Sequence, residues 1–177
     1  EIKYFKKFVN NLQPKFSHIY IEKEAYGYSL SDTILRKFPN SSIVDIKHYK
    51  DVFNRSGQDF QTQKKSMNLI LAKKTSPFLY PITDMVQGHR MPGFFYTTPM
   101  LNCLYNCEYC FLQGMYPSGN IVLFVNQDDF QKAVKVKLNQ NNLSKEGLTV
   151  SISYNTDLLA MENLFPITKN WIEFASK

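Results

Sequence analysis

Apolar residues along this chain fall into short branched runs separated by helically spaced stripes, and that alternation predicts a mixed α/β protein. Ile2, Phe5, Phe8, Val9 and Leu12 recur at helical spacing, so Glu1 to about Pro14 reads as a short amphipathic helix or an arm. His18-Ile19-Tyr20-Ile21-Glu22 has the alternation of a strand. A helix is expected to start at Ser31 and Asp32, to carry Ile34, Leu35 and Phe38, and to stop at Pro39-Asn40. Ser42 to Ile46 reads as a second strand. Met67 to Lys74 reads as a third, with Leu69, Ile70 and Leu71 in succession. The polar stretch from Lys50 to Lys65 predicts loop or weak helix.

Thr75 to Pro92 is rich in Pro and Gly and has no period, which predicts a long surface connection. Phe94 to Thr98 is a buried type of strand, broken by Pro99, that leads directly into a cysteine-bearing loop. Ile121 to Val125 is extended. Asn126 then stands as the cap of a helix with Asp128 and Asp129 in its first turn, where carboxylates suit the helix dipole. The apolar face of that helix is Phe130, Ala133, Val134 and Leu138. Asn139 to Gly147 reads as a turn region, Leu148 to Ser153 as a strand, and Leu158 to Lys177 as mostly helical. Strand, loop, helix, strand and helix in this order argue for parallel βα units. The expected division is an N-terminal α/β region over 1–92 and a second region over 93–177.

Composition changes this picture little. The 177 residues are 44% hydrophobic, 15% aromatic and 20% charged, enough to bury one large core or two small ones. No apolar run approaches the ~20 residues of a membrane span, and the first residues do not form a signal peptide. The chain does not begin with Met, so an earlier start is expected. A net charge of +6 suits a polyanionic partner such as DNA or RNA. Pairs such as Lys6-Lys7, Lys64-Lys65 and Lys73-Lys74 fit a solvated ordinary surface equally well.

The cysteines change it a great deal. All three lie between residues 103 and 110, a poor basis for disulfides because bridging such close residues closes almost no loop. Clustered thiols suit metal binding in a reducing compartment, and a cytoplasmic protein is expected. Cys103, Cys107 and Cys110 are separated by three and then two residues. A short loop with that spacing can wrap three corners of a four-iron, four-sulfur cube, leaving one iron open. An open iron can chelate the amino and carboxylate groups of S-adenosylmethionine, whose reductive cleavage yields a 5′-deoxyadenosyl radical. A zinc site and three unrelated buried cysteines are the competing readings; zinc ordinarily requires a fourth ligand. The histidines are His18, His48 and His89, and none adjoins the cysteines. Tyr109 precedes the last cysteine, where radical S-adenosylmethionine enzymes place an aromatic against adenine; a merely buried aromatic is the plainer reading.

The segment Cys103-Leu-Tyr-Asn-Cys107-Glu-Tyr-Cys110-Phe-Leu-Gln113, followed by Ile121-Val-Leu-Phe-Val125-Asn126, resembles the spore photoproduct lyase family. Ile19-Tyr-Ile-Glu22 followed by a helix resembles that family's N-terminal region, so the similarity runs from about Ser17 onward. The resemblance implies a radical S-adenosylmethionine lyase that repairs a thymine dimer in DNA, with an external electron donor. It also implies a partial barrel, of which 93–177 would supply the first βα units. At about 30 residues per unit only two to three fit, so an N-terminal fragment of a longer protein is expected. By the same resemblance Cys103, Cys107 and Cys110 are the cluster ligands and Tyr109 the adenine-side aromatic.

Ser153-Tyr154-Asn155-Thr156-Asp157 stands where the family has a Ser-Cys-Thr-Ser-Asp run. Thr156 and Asp157 then face the amino acid part of S-adenosylmethionine, although Asp157 also reads as a helix cap before Leu158. Tyr154 replaces the family's hydrogen-donating cysteine, and Phe111 replaces a tyrosine of the same relay. Tyr154 is thus a candidate phenolic hydrogen donor. Two alternatives stand beside the lyase: a related radical enzyme with a different substrate, and a non-catalytic fragment that binds an iron–sulfur cluster or zinc.

Overall fold

The computed structural model describes residues 14–82, 93–140 and 147–177. The expected N-terminal helix or arm falls almost wholly outside these residues. So does most of the stretch from Thr75 to Pro92, and with it the expected boundary at residue 92.

The chain is a mixed α/β protein built on two sheets. Its elements are β1 (His18–Glu22), α1 (Ser29–Lys37), β2 (Ser42–Ile46), α2 (Lys50–Phe53), α3 (Phe60–Lys65) and β3 (Leu69–Ala72), then β4 (Tyr80–Pro81), β5 (Phe94–Tyr96) and β6 (Met100–Leu101). These are followed by α4 (Leu112–Met115), β7 (Ile121–Phe124), α5 (Gln127–Leu138), β8 (Thr149–Ser151) and α6 (Ile167–Ala175). The larger sheet has the order β2-β1-β3-β7-β6, parallel throughout except for the antiparallel edge pair of β6 and β7. The smaller sheet is β4-β5-β8, with β5 and β8 parallel.

The two central strands explain the core. Every residue of Leu69–Ala72 and of Ile121–Phe124 is buried, as expected of parallel strands covered on both faces. Leu69 pairs with Ile121 and Leu71 with Leu123, so the larger sheet draws strands from both sides of residue 92. Phe124 packs edge-on against Tyr49 at a centroid distance of 5.4 Å and meets Phe130 of α5 at 6.3 Å. Replacing Phe124 with Ala would remove about 3–5 kcal/mol from this centre.

Several elements differ from the sequence expectation, each for a local reason. The helix expected at Ser31 begins at Ser29, because the Ser31 hydroxyl donates back to the Ala25 carbonyl at 2.6 Å instead of capping the helix. The polar stretch from Lys50 to Lys65 forms two short helices, of which α3 is capped by Asp59 accepting from the Thr62 amide at 3.1 Å. The third strand is shortened to Leu69–Ala72. Past Pro99 the chain does not enter the cysteine loop at once. It first forms β6, whose Met100 pairs with Leu123. The C-terminal helical stretch is split into a 3-10 turn at Leu159–Met161 and α6, with Pro166 at the break.

Asn126 occupies the cap position of α5 yet makes no side-chain cap hydrogen bond. Its side chain is a bridge. The Oδ1 atom accepts from the Lys74 amide, while Nδ2 donates to the Lys74 carbonyl and to Asp129 Oδ2, all at 2.9 Å. Those bonds hold Asp129 below the usual carboxylate range, chiefly through Asn126. Asn126→Ala would leave two backbone groups of Lys74 without partners. It should lower the unfolding free energy by about 2 kcal/mol, read as a lower urea midpoint at an unchanged slope.

Candidate functional site

The cysteine loop leaves β6 through Asn102, whose φ of 65° lies in the left-handed region. Asn tolerates that region better than most residues because its short polar side chain can bond locally. Here it does so fully buried. The Nδ2 atom donates to the carbonyls of Ser118 at 2.6 Å and Asn120 at 2.7 Å. The Asn102 amide donates to the Asn155 carbonyl at 3.0 Å, and its own carbonyl accepts from Thr156 Oγ1 at 2.5 Å. The start of the loop is therefore clamped to its own far end and to the chain after β8.

Beyond the clamp the loop curls into a series of turns. The Cys110 amide donates to the Cys107 carbonyl at 3.0 Å and the Gln113 amide to the Cys110 carbonyl at 3.1 Å. Gln113 Nε2 also donates to the Cys107 carbonyl, at 2.5 Å. All three cysteines are free thiols, Cys103 buried and the other two half-buried. They line one cavity of about 240 Å³ together with Phe60, Lys64, Tyr109, Tyr154, Thr156 and Asp157. The folded chain thus brings every site residue expected from the sequence to one place, and adds Lys64.

Each of these residues has a definite environment. Burial pushes the Cys103 thiol up, opposed by the Tyr105 amide, which donates to its sulfur at 3.4 Å, and by the Lys64 charge. Tyr109 is 92% exposed, with its phenol raised mainly by a hydrogen bond to the Cys107 side chain. Thr156 is buried and spends its hydroxyl on the Asn102 carbonyl. The Asp157 carboxylate accepts from the amides of Leu159 at 3.0 Å and Ala160 at 3.3 Å, so it caps the 3-10 turn. Tyr154 lies at a ring-centroid distance of 4.4 Å from Tyr96, which in turn stacks on Tyr80 at 5.2 Å. Burial raises the Tyr96 phenol, with Tyr154 and then Tyr80 adding to the effect.

Lys64 escapes sequence reading because nothing distinguishes it from Lys65 beside it. It is only 8% exposed, and its ammonium donates to the Cys103 carbonyl. Burial pushes that ammonium down, and the sulfurs of Cys103, Cys110 and Cys107 oppose the shift. The signal that could have drawn notice is a lysine at the end of an otherwise polar short helix, on the one turn that meets the cysteine segment.

Among the described residues no group of three or more His, Cys, Asp or Glu side chains is arranged to hold a metal ion. Cys103, Cys107 and Cys110 all contribute to the lining of one cavity, and the nearby carboxylate of Asp157 is committed to backbone amides. A four-ligand zinc site needs one more donor than this. A cluster with three thiolate ligands and one open corner matches the donors present. Asn102 Oδ1, a buried acceptor on the cavity wall, has no partner among the described residues and remains available to a bound group.

No model of a known family matches the chain, and no curated protein matches it. Its fold does match solved structures of spore photoproduct lyase. A tyrosine-to-phenylalanine mutant of that enzyme superposes with a TM-score of 0.71 at 20% identity, covering 92% of this chain and 47% of the enzyme. The enzyme complexed with dinucleoside spore photoproduct gives 0.70 at 20% identity, with 90% and 46% covered. A mutant with bound AdoMet and dinucleoside spore photoproduct gives 0.66 at 21% identity, with 92% and 47% covered. The chain spans about half the length of these proteins, and the likeness is one of fold.

Asn102→Ala would strain the left-handed turn and delete both side-chain bonds. A loss of about 2–4 kcal/mol in stability is expected, with faster reaction of Cys103 with a thiol reagent. Asn102→Gly should recover about 1 kcal/mol of this, the part due to strain. Equal melting temperatures for the two variants would contradict the clamp.

Proposed function

We propose that this chain is part of a radical S-adenosylmethionine enzyme of the spore photoproduct lyase type, acting on a thymine dimer in DNA. The observation that carries the reading is the convergence of Cys103, Cys107 and Cys110 with Tyr154, Thr156 and Asp157 on one cavity. The solved lyases share the fold, and among those structures are ones bound to AdoMet and to the dinucleoside lesion. Three free thiols suit a reducing compartment such as the cytoplasm, and the net charge of +6 suits a DNA partner. No helix among the described residues is long and apolar enough to cross a membrane.

With a four-iron cluster, S-adenosylmethionine and an external electron donor bound, the chemistry available here would be that of a 5′-deoxyadenosyl radical able to take a hydrogen atom from the lesion. The residues of the chain divide the remaining work. Cys103, Cys107 and Cys110 would hold the cluster as thiolates. Tyr109 offers an exposed ring to the adenine. Asp157 presents a carboxylate near the amino acid end of the cofactor, whereas Thr156 acts through Asn102, since its hydroxyl is already spent there. Tyr154, at the cavity wall, would give a hydrogen atom from its phenol to the product radical, and the phenoxyl radical left on Tyr154 would be reduced by the external electron donor with uptake of a proton. A lesion within stacked bases must be extruded to reach this wall, at a cost lowered by its existing distortion.

A second reading, a radical enzyme with another substrate, is favoured by the pair of Phe111 and Tyr154. Phe111 lines the cavity but has no heteroatom hydrogen to give. Anaerobic reconstitution of the chain with iron and sulfide should give about four irons and a broad absorbance near ~400 nm, abolished by Cys107→Ala. Reduction with S-adenosylmethionine should release 5′-deoxyadenosine. A colourless protein holding one zinc would sink the reading. Thymine-dimer oligonucleotide separates the two substrates. Tyr154→Phe should leave deoxyadenosine release intact and stop product formation; equal product yield would remove Tyr154 from the mechanism.

A further inference from the structure

Lys64 is a buried cation with no ion-pair partner among the described residues. The three ion pairs found among the described residues use Lys73, Lys132 and Lys169. Among the described residues Lys64 meets the neutral carbonyl of Cys103 and, at 5.8 Å, the ring of Phe60. Taking an ammonium out of water with no partner is among the most costly arrangements a fold can contain. Such a charge persists where something else in the same cavity balances it.

Its placement is enforced by more than its own hydrogen bond. A Cβ on Gly119 would lie 2.8 Å from the Lys64 amide nitrogen and 2.9 Å from the Phe60 carbonyl oxygen, so α3 packs onto bare backbone there. Gln63 Oε1 accepts from the Gly119 amide at 2.8 Å and from Ser118 Oγ at 3.1 Å. Gln61 Nε2 reaches Gln113 Oε1 at 3.3 Å. These contacts lock the helix to the segment that follows the cysteines, and they carry the Lys64 ammonium to the cavity wall.

We propose that Lys64 is the built-in counter-cation of the cysteine site, balancing the negative charge of a thiolate-bound iron–sulfur cluster and easing its reduction. This rests on the cluster reading above. Three thiolates on an iron–sulfide cube make a net anion, which gains one more negative charge when an electron enters. A fixed positive charge at the wall favours the more negative state, and the reduction potential rises. Lys64 is a positioning residue in this role: it touches a ligand's backbone and leaves the reacting atoms to others.

The test uses the full chain with Lys64→Gln, which keeps a donor for the Cys103 carbonyl and removes only the charge. Lys64→Met fills the same space without a donor, and Lys64→Arg restores the charge. Each is reconstituted with iron and sulfide, and the cluster is titrated electrochemically without S-adenosylmethionine. At a fixed potential the reduced-to-oxidised ratio of Lys64→Gln should fall about tenfold, equivalent to ~59 mV for one electron. Lys64→Arg should stay within about threefold of the unaltered chain. The cluster-free proteins give a second readout of opposite sign. Without the cluster, Lys64→Met should melt at or above the unaltered chain, because an unbalanced buried charge has been removed. With the cluster loaded, it should melt below it. A neutral variant with the unaltered potential, or one that loses stability equally with and without the cluster, overturns the proposal. An unaltered chain that takes up no iron overturns the cluster reading instead, and is told apart by its iron content.

Discussion

A single left-handed residue holds the functional half of this protein together. Asn102 ends the edge strand β6 with φ at 65°, and its backbone and side chain bond to Ser118, Asn120, Asn155 and Thr156. Those partners come from the segment after the cysteine loop and from the segment after β8. Cys103 follows immediately, so the direction in which the loop departs is set by this turn. Were it released, the entry and exit of the loop would separate, and the cavity would lose the wall that carries Thr156 and Asp157.

The two halves of the chain meet at this cavity by different physics. From the second half come the thiols, presented on turns whose backbone bonds are local. From the first half comes α3, brought against Gly119 by packing so close that no side chain fits between. Sheet pairing of β3 with β7 supplies the rigid frame for that approach. The buried ammonium of Lys64 is its consequence. The Lys64 ammonium and the Cys103 carbonyl, some forty residues apart in sequence, are brought together only when the central sheet is complete.

The chemistry of the wall is asymmetric. One side carries sulfur donors and a cation, suited to holding an anionic metal group. The other carries Tyr154, tilted against Tyr96, which stacks on Tyr80, whose hydroxyl accepts from the Lys74 ammonium at 2.8 Å. Phe111, at the mouth, contributes surface without a transferable hydrogen. Such a division keeps the sulfur donors and the tyrosine stack on separate elements, so that substitution on one side need not disturb the other.

Much of this was legible in the amino-acid sequence. The strands at His18–Glu22 and Ser42–Ile46 and the helix after Asn126 follow from local periodicity, which needs no knowledge of neighbours. The three cysteines are likewise a local pattern, readable from their spacing, whereas the run from Ser153 to Asp157 was picked out only by its resemblance to a family motif. What tertiary structure alone decided is where polar residues spend their hydrogen bonds. Asn126 looks like a helix cap but bridges to Lys74, and Thr156 looks like a cofactor contact but holds Asn102. Lys64 looks like one solvated lysine of a pair and is buried beside Cys103. Periodicity reports which face of an element is apolar. It carries no information on which distant carbonyl a polar side chain will reach, because that depends on how the sheets bring remote segments into contact.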